Sequence, residues 1–220
     1  AGPGGQVGMV SRNLFNPQLK SVYIFVPGLI AVILMLISAL MTSITITREK
    51  EMGSMEVLLV SPLRPLQIIV GKIVPYMALS LINVLTVLIL ARLVFNVPFE
   101  GSFALFMLEA FLFIFVALAL GLLISTVSNN QQTAMMIALA GLLLPTVMLS
   151  GFIFPIASMP EPLQWFSAII PARWFLVVVR GIMLKGVGLE ALWQETLILG
   201  GMAVFLVTVS VNRFQVRLEQ

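Results

Sequence analysis

The residues able to do chemistry in this chain are concentrated at positions 48–65, R-E-K-E-M-G-S-M-E-V-L-L-V-S-P-L-R-P. Arg48, Glu49, Lys50, Glu51, Glu56 and Arg64 lie here, in a chain with only 12 basic and 9 acidic residues. Such a set offers ionic docking to a soluble partner. It does not offer acid–base or metal chemistry, because histidine and cysteine are absent and every acid is a glutamate. Imidazole and thiolate bases, nucleophiles and ligands are therefore excluded. A phosphate-cradling G-x-x-x-x-G-K-[ST] is also missing, so the chain does not bind and hydrolyse ATP in the P-loop manner by itself. No cofactor is expected. A net charge of +3 is too small to suggest nucleic acid and mostly sets orientation in a membrane.

The local pattern within 48–65 predicts a defined shape. On a helical wheel Glu49, Gly53 and Glu56 share a face, while Met52, Met55 and Leu59 form an apolar stripe beside it. Ser54 is placed to cap a short helix running to Val60, and Ser61-Pro62 ends it. Pro65 suits the first turn of the next helix, which continues through Lys72. One reading is an ordinary solvated loop whose charges obey the positive-inside rule. The other is a functional surface, since a connector needs only a few residues and this one uses roughly 25.

The elements that hold this segment are membrane spans. Hydrophobic residues make up 60% of the chain and charged residues 10%, with mean hydropathy +1.12. Soluble domains carry about 25% charged residues. The expected fold is all-α and polytopic, with five transmembrane helices near 26–47, 73–95, 103–125, 134–154 and 192–211. Residues 1–24 read as the end of an extracytoplasmic segment and 25–220 as the transmembrane domain. The start, Ala1-Gly2-Pro3-Gly4-Gly5, has neither an initiator Met nor a signal-peptide pattern, and is expected to follow a longer N-terminal part. Pro145 should distort the fourth span. The stretch 155–190 holds Pro155, Pro160, Pro162 and Pro171, with Trp165 and Trp174. Its two helical pieces, 163–170 and 173–185, are too short to span and suit interfacial or re-entrant helices. Counting basic residues in short loops puts 48–72 and the C-terminus in the cytoplasm.

Polar groups inside the spans are costly and normally face protein or water. Glu109 either marks a substrate or proton pathway or, as is favoured, pairs with Arg92 at similar depth on the neighbouring helix. Asn83 is equally suited to a pathway or to an interhelical hydrogen bond. Arg173 and Arg180 are expected to snorkel to the outer interface, with anionic lipid head groups as the alternative partner.

The segment R-E-K-E-M-G-S-M-E-V-L-L-V-S-P-L-R-P-L-Q-I-I-V-G-K-I-V-P-Y resembles the signature region of ABC-2 type transporter permeases. Matches continue in order through L-F-N-P (14–17), V-P-G (26–28), G-L-L-I-S-T-V (121–127), L-S-G-F-I-F-P-I-A-S-M-P (149–160), P-A-R-W-F (171–175) and R-G-I-M-L-K-G (180–186). The resemblance implies a six-helix subunit whose first helix and large extracytoplasmic domain precede this chain. It implies a cytoplasmic coupling helix docking on separate ABC ATPase subunits. That role falls on Arg48, Glu49, Glu51, Gly53, Met55, Glu56, Pro62 and Arg64. It further implies short outer-side helices over 155–185 and a second permease subunit, identical or related, in a bacterial inner membrane. The expected function is ATP-driven export of an amphipathic or lipid-like substrate, with hydrolysis in the partner and not in this chain. The alternatives are an ion-coupled secondary transporter, for which Glu109 alone is poor support, and a membrane-embedded enzyme, for which no residue pairing suggests itself.

Overall fold

The computed structural model describes residues 21–53 and 65–216. Among them every regular element is helical, in the order α1 Ser21–Glu51, α2 Pro65–Leu93, α3 Phe103–Val127, α4 Gln131–Ala138, a π-helical turn Leu139–Leu143, α5 Leu144–Leu149, a 3-10 turn Ile156–Ser158, α6 Glu161–Ala168, α7 Pro171–Lys185 and α8 Leu189–Val216. Five stretches are long and apolar enough to cross a membrane: Ser21–Glu51, Val70–Leu93, Phe103–Val127, Gln131–Leu149 and Leu189–Ser210. The chain is a polytopic helical membrane protein. Residues 1–20, Ser54, Met55, Glu56, Leu59, Val60, Pro62 and Arg64 lie outside the described residues, and with them the expected coupling helix.

The five expected spans correspond to these five, with shifted ends. The first helix starts before Val26, at Ser21, so Pro27 sits inside it. The fourth span stops at Leu149, because the chain turns at Ser150-Gly151 and Gly151 is left-handed at φ 84°. Pro145 distorts that span as expected, through register rather than a sharp bend. The ring removes an N–H and crowds the carbonyl four residues back. The widened π turn Leu139–Leu143 immediately precedes it.

Two helices carry the core. More than half of the apolar stretch of α1 and of α3 is buried, while little of α2, α4–α5 and α8 is. The seam between α1 and α3 closes on small residues, as membrane helices do when packing rather than water drives association. A Cβ on Gly121 would stand 2.5 Å from the Ala39 carbonyl oxygen, so only glycine fits there. Beside the seam, Phe113 of α3 stacks on Phe175 of α7 at 4.0 Å.

The short helices sharpen one expectation. The pair α6 and α7 is bent by 83° at its break, which fits a re-entrant element. Within it, α7 does not lie on the surface of the bundle. Its Ala172, Phe175, Val178, Val179 and Ile182 are fully buried against α1, α3 and α8.

Candidate functional site

The α1 terminus at the 52–64 connection is where the predicted charges converge. Because α1 runs on to Glu51, its last three residues leave the helix in three directions. Glu49 forms an ion pair with Lys72 of α2. Lys50 donates to the carbonyl oxygen of Ser125 in the last turn of α3. Glu51 accepts from the Gln131 backbone N–H at 3.1 Å and from its side-chain amide at 2.5 Å, at the first residue of α4. The signs match the helix ends. An ammonium meets the negative end of α3, and a carboxylate meets the unsatisfied N–H groups of α4. Asn130 completes that N-terminus, accepting from Thr133 N–H at 2.7 Å. One turn of α1 thus holds α2, α3 and α4 together.

Gly53 then stops the helix. Its φ is +69°, a conformation that glycine adopts without a Cβ penalty, and nothing lies within 4 Å of where a Cβ would be. Met52 and Gly53 still donate backward, to the Arg48 and Lys50 carbonyls. The wheel that put Glu49 and Gly53 on one face therefore does not run through. The glutamates of α1 face their own bundle, and Met52 stands exposed.

The intramembrane polar residues find other partners than expected. Glu109 is fully buried but does not pair with Arg92. It accepts from Thr196 Oγ1 of α8 at 2.5 Å, and its other carboxylate oxygen is unpartnered among the described residues. Arg92 instead lines a small pocket with Asn96 and Glu100. Asn83 is half-buried, with no hydrogen bond among the described residues. Besides the Glu49–Lys72 pair, α1 and α2 are joined by Ser38 with Ser80, at 2.8 Å, and Tyr76 with Thr45, also at 2.8 Å.

At the opposite end both arginines bond main-chain carbonyls. Arg180 donates to the carbonyls of Gly151 and Ile24, at 3.2 and 3.4 Å, joining α7 to the turn after α5 and to the start of α1. Arg173 donates to the Gln164 carbonyl at 2.9 Å and lies over the Trp174 ring. Trp174 Nε1 donates to the Ala168 carbonyl at 2.9 Å, and Ser167 to that of Leu149 at 2.5 Å. These bonds fix the α6–α7 corner. Pro160 precedes the first turn of α6, while the Pro155 carbonyl accepts from Ser158 Oγ at 2.7 Å.

A bundle of spanning helices, with a charged helix end at one side and a bent helix pair at the other, defines a polytopic helical membrane domain. The chain matches the family described as ABC-2 family transporter protein over residues 5–211, and it belongs to that family. It is 36% identical over 176 residues to the probable multidrug ABC transporter permease YbhS of Escherichia coli (strain K12), covering 80% of this chain and 47% of the relative. Identity to the inner membrane transport permease YhhJ of the same organism is 30% over 213 residues, covering 95% and 56%. Identity to ABC transporter G family member 20 of Dictyostelium discoideum is 34% over 198 residues, covering 89% and 27%. The chain spans about half the length of the bacterial relatives it matches.

Proposed function

We propose that this chain is the transmembrane permease part of an ATP-driven exporter, working in a bacterial inner membrane with the 48–72 connection in the cytoplasm. Separate ABC ATPase subunits engage that connection, and a second permease subunit, identical or related, completes the translocation path. ATP-driven closure of the ATPases displaces the connection, and alternating access carries an amphipathic or lipid-like substrate outward. The observation that carries this reading is the convergence of Glu49, Lys50 and Glu51 on α2, α3 and α4 at the point where the connection leaves α1. A load applied at 52–64 is thereby delivered to four helices at once, as a coupling element requires. Within the connection, Met55, Glu56, Pro62 and Arg64 are assigned to the ATPase contact, while Glu49 and Glu51 anchor its base.

The test is co-purification and vesicle transport with the cognate ATPase. Glu56→Arg is expected to abolish both ATPase retention and nucleotide-driven transport while leaving the permease folded. Transport that proceeds without any ATPase, and survives Glu56→Arg, would sink the exporter reading. One observation favours the second reading, ion-coupled transport: the buried Glu109 beside Thr196, whose other carboxylate oxygen has no partner among the described residues. Under that reading an ion gradient alone drives flux, and Glu109→Gln stops it.

A further inference from the structure

Two apolar cavities flank the α6–α7 corner. The first, of about 550 Å³, lies between α3, α6 and α8 and is walled by Trp165, Met202, Phe205 and Leu206. The second, of about 360 Å³, lies between α1, α5 and the corner, against Met35, Gly141, Leu142 and Leu149. Leu120, Phe166, Ile169 and Pro171 line both, so they are two lobes of one recess among the membrane-spanning helices. Each falls in the range of about 300–1,000 Å³ usual for ligand sites. Next to the first lobe, sharing Trp165 and Ala168, a hollow of about 440 Å³ changes character. Its remaining lining is Glu161, Gln164 and Arg173.

We propose that this composite recess binds a glycerophospholipid whose headgroup carries an amine. The two acyl chains occupy the apolar lobes, the phosphate meets Arg173 and the ammonium meets Glu161. Charge complementarity selects this occupant. A pure hydrocarbon leaves the Glu161–Arg173 hollow unmatched. An anionic lipid without an amine satisfies Arg173 but sets its negative charge against Glu161. A polar metabolite has nothing to fill the two lobes. The cation is also pre-set: Arg173 is held by its bond to the Gln164 carbonyl and by the Trp174 ring, 4.9 Å away, so little rotamer freedom is lost on binding. Nothing in the site requires that the lipid be transported, and it stands apart from the ATPase reading.

Trp165, which is 77% exposed and lines both the first lobe and the hollow, supplies the probe. The permease is reconstituted in equal mixtures of phosphatidylethanolamine and phosphatidylglycerol, in which one or the other carries brominated acyl chains that quench indole fluorescence. Trp193→Phe serves as the background and Trp165→Phe as the blank. Brominated phosphatidylethanolamine is expected to quench Trp165 with an apparent association constant roughly three- to fivefold above that of brominated phosphatidylglycerol, the range that a partly exposed charge pair supports. Arg173→Gln brings the ratio to one. Because Arg173 also ties α6 to α7, the deciding variant is Glu161→Gln, which leaves that bond intact and should turn the preference toward phosphatidylglycerol. Equal quenching by both lipids in the unsubstituted protein, or a preference that Glu161→Gln does not move, overturns the proposal. The measurement needs neither ATPase nor nucleotide, so its failure and that of the exporter reading are separate results.

Discussion

The two ends of the bundle are tied by opposite means. At the 52–64 end, charged side chains reach other side chains and helix ends through partly exposed contacts: Glu49 to Lys72, Lys50 to α3 and Glu51 to Gln131. At the α6–α7 end, guanidinium, indole and hydroxyl donors grip main-chain carbonyls, with Arg180 serving Gly151 and Ile24. Water competes for the first kind of contact and salt screens it. The second kind is partly exposed as well, the Arg180–Gly151 bond part-buried and the Arg180–Ile24 bond exposed, but its acceptors are main-chain carbonyls fixed by the helix and turn that carry them. One end is therefore suited to exchange partners at low cost and the other to hold its geometry. Under the exporter reading, this difference is what a domain driven from one side needs.

The contrast requires a stiff middle, and the severest way to break it is at the α1–α3 seam. Gly121→Leu pushes a side chain into the Ala39 carbonyl and the Thr42 Cβ, at 2.5 and 2.9 Å from the new Cβ. Backbone cannot yield as a flexible side chain does, so the cost should be at least ~3 kcal/mol. The expected result is loss of monodisperse protein in size-exclusion chromatography, with Gly121→Ala intermediate. Next in size is Arg180→Met, which keeps the aliphatic stem but deprives both carbonyls of their donor. About 1.5 kcal/mol should be lost, the low end for hydrogen bonds from a charged donor, because one bond is part-buried and the other exposed. A lower melting temperature, unchanged between low and high salt, would confirm that this end is held by hydrogen bonds to main-chain carbonyls rather than by ion pairs.

The loop end should respond differently. Glu51→Ala removes the acceptor from the first N–H of α4, a loss comparable to an N-cap deletion at about 1 kcal/mol. Under the exporter reading its larger effect is on coupling. Nucleotide hydrolysis continues in the reconstituted complex while transport per ATP falls several-fold, and Gln131→Ala gives the same phenotype with no further loss in the double variant. If Glu51→Ala lowers stability and leaves transport per ATP unchanged, the residue is only a cap.

Much of this architecture was legible in residue order. Apolar runs of membrane length located all five spans, Pro65 and Pro145 marked a helix start and a distortion, and 48–65 stood out by charge alone. The partners were not legible. Gln131 is 80 residues from Glu51, and no local period links them. Arg180 resembles any interfacial arginine until folding brings the Gly151 and Ile24 carbonyls to it, the latter 156 residues away. Equal depth suggests contact between Glu109 and Arg92, but azimuth around the helix decides that, and Thr196 of α8 faces Glu109 instead. The burial of α7 is illegible for a related reason. Its length is wrong for a span, and length says nothing about whether a short helix inserts between longer ones.

The smallest expected effect gives the sharpest comparison. Glu49 and Lys72 have side chains 31% and 14% exposed, so their ion pair is neither fully solvated nor fully withdrawn from water. A double-mutant cycle with Glu49→Gln and Lys72→Met should return a coupling of about 0.2–1 kcal/mol, the range of exposed pairs. It should shrink as ionic strength rises, since screening acts on charges that water reaches. The reversed pair, Glu49→Lys with Lys72→Glu, should recover part of the loss seen in either reversal alone. A coupling above about 2 kcal/mol, insensitive to salt, would place Glu49 and Lys72 with the buried pairs, which fail badly when one partner is removed. The base of α1 would then be as fixed as the Arg180 end, and motion entering at 52–64 would have to pass through the whole bundle as a rigid body rather than through exchange of partners at its base.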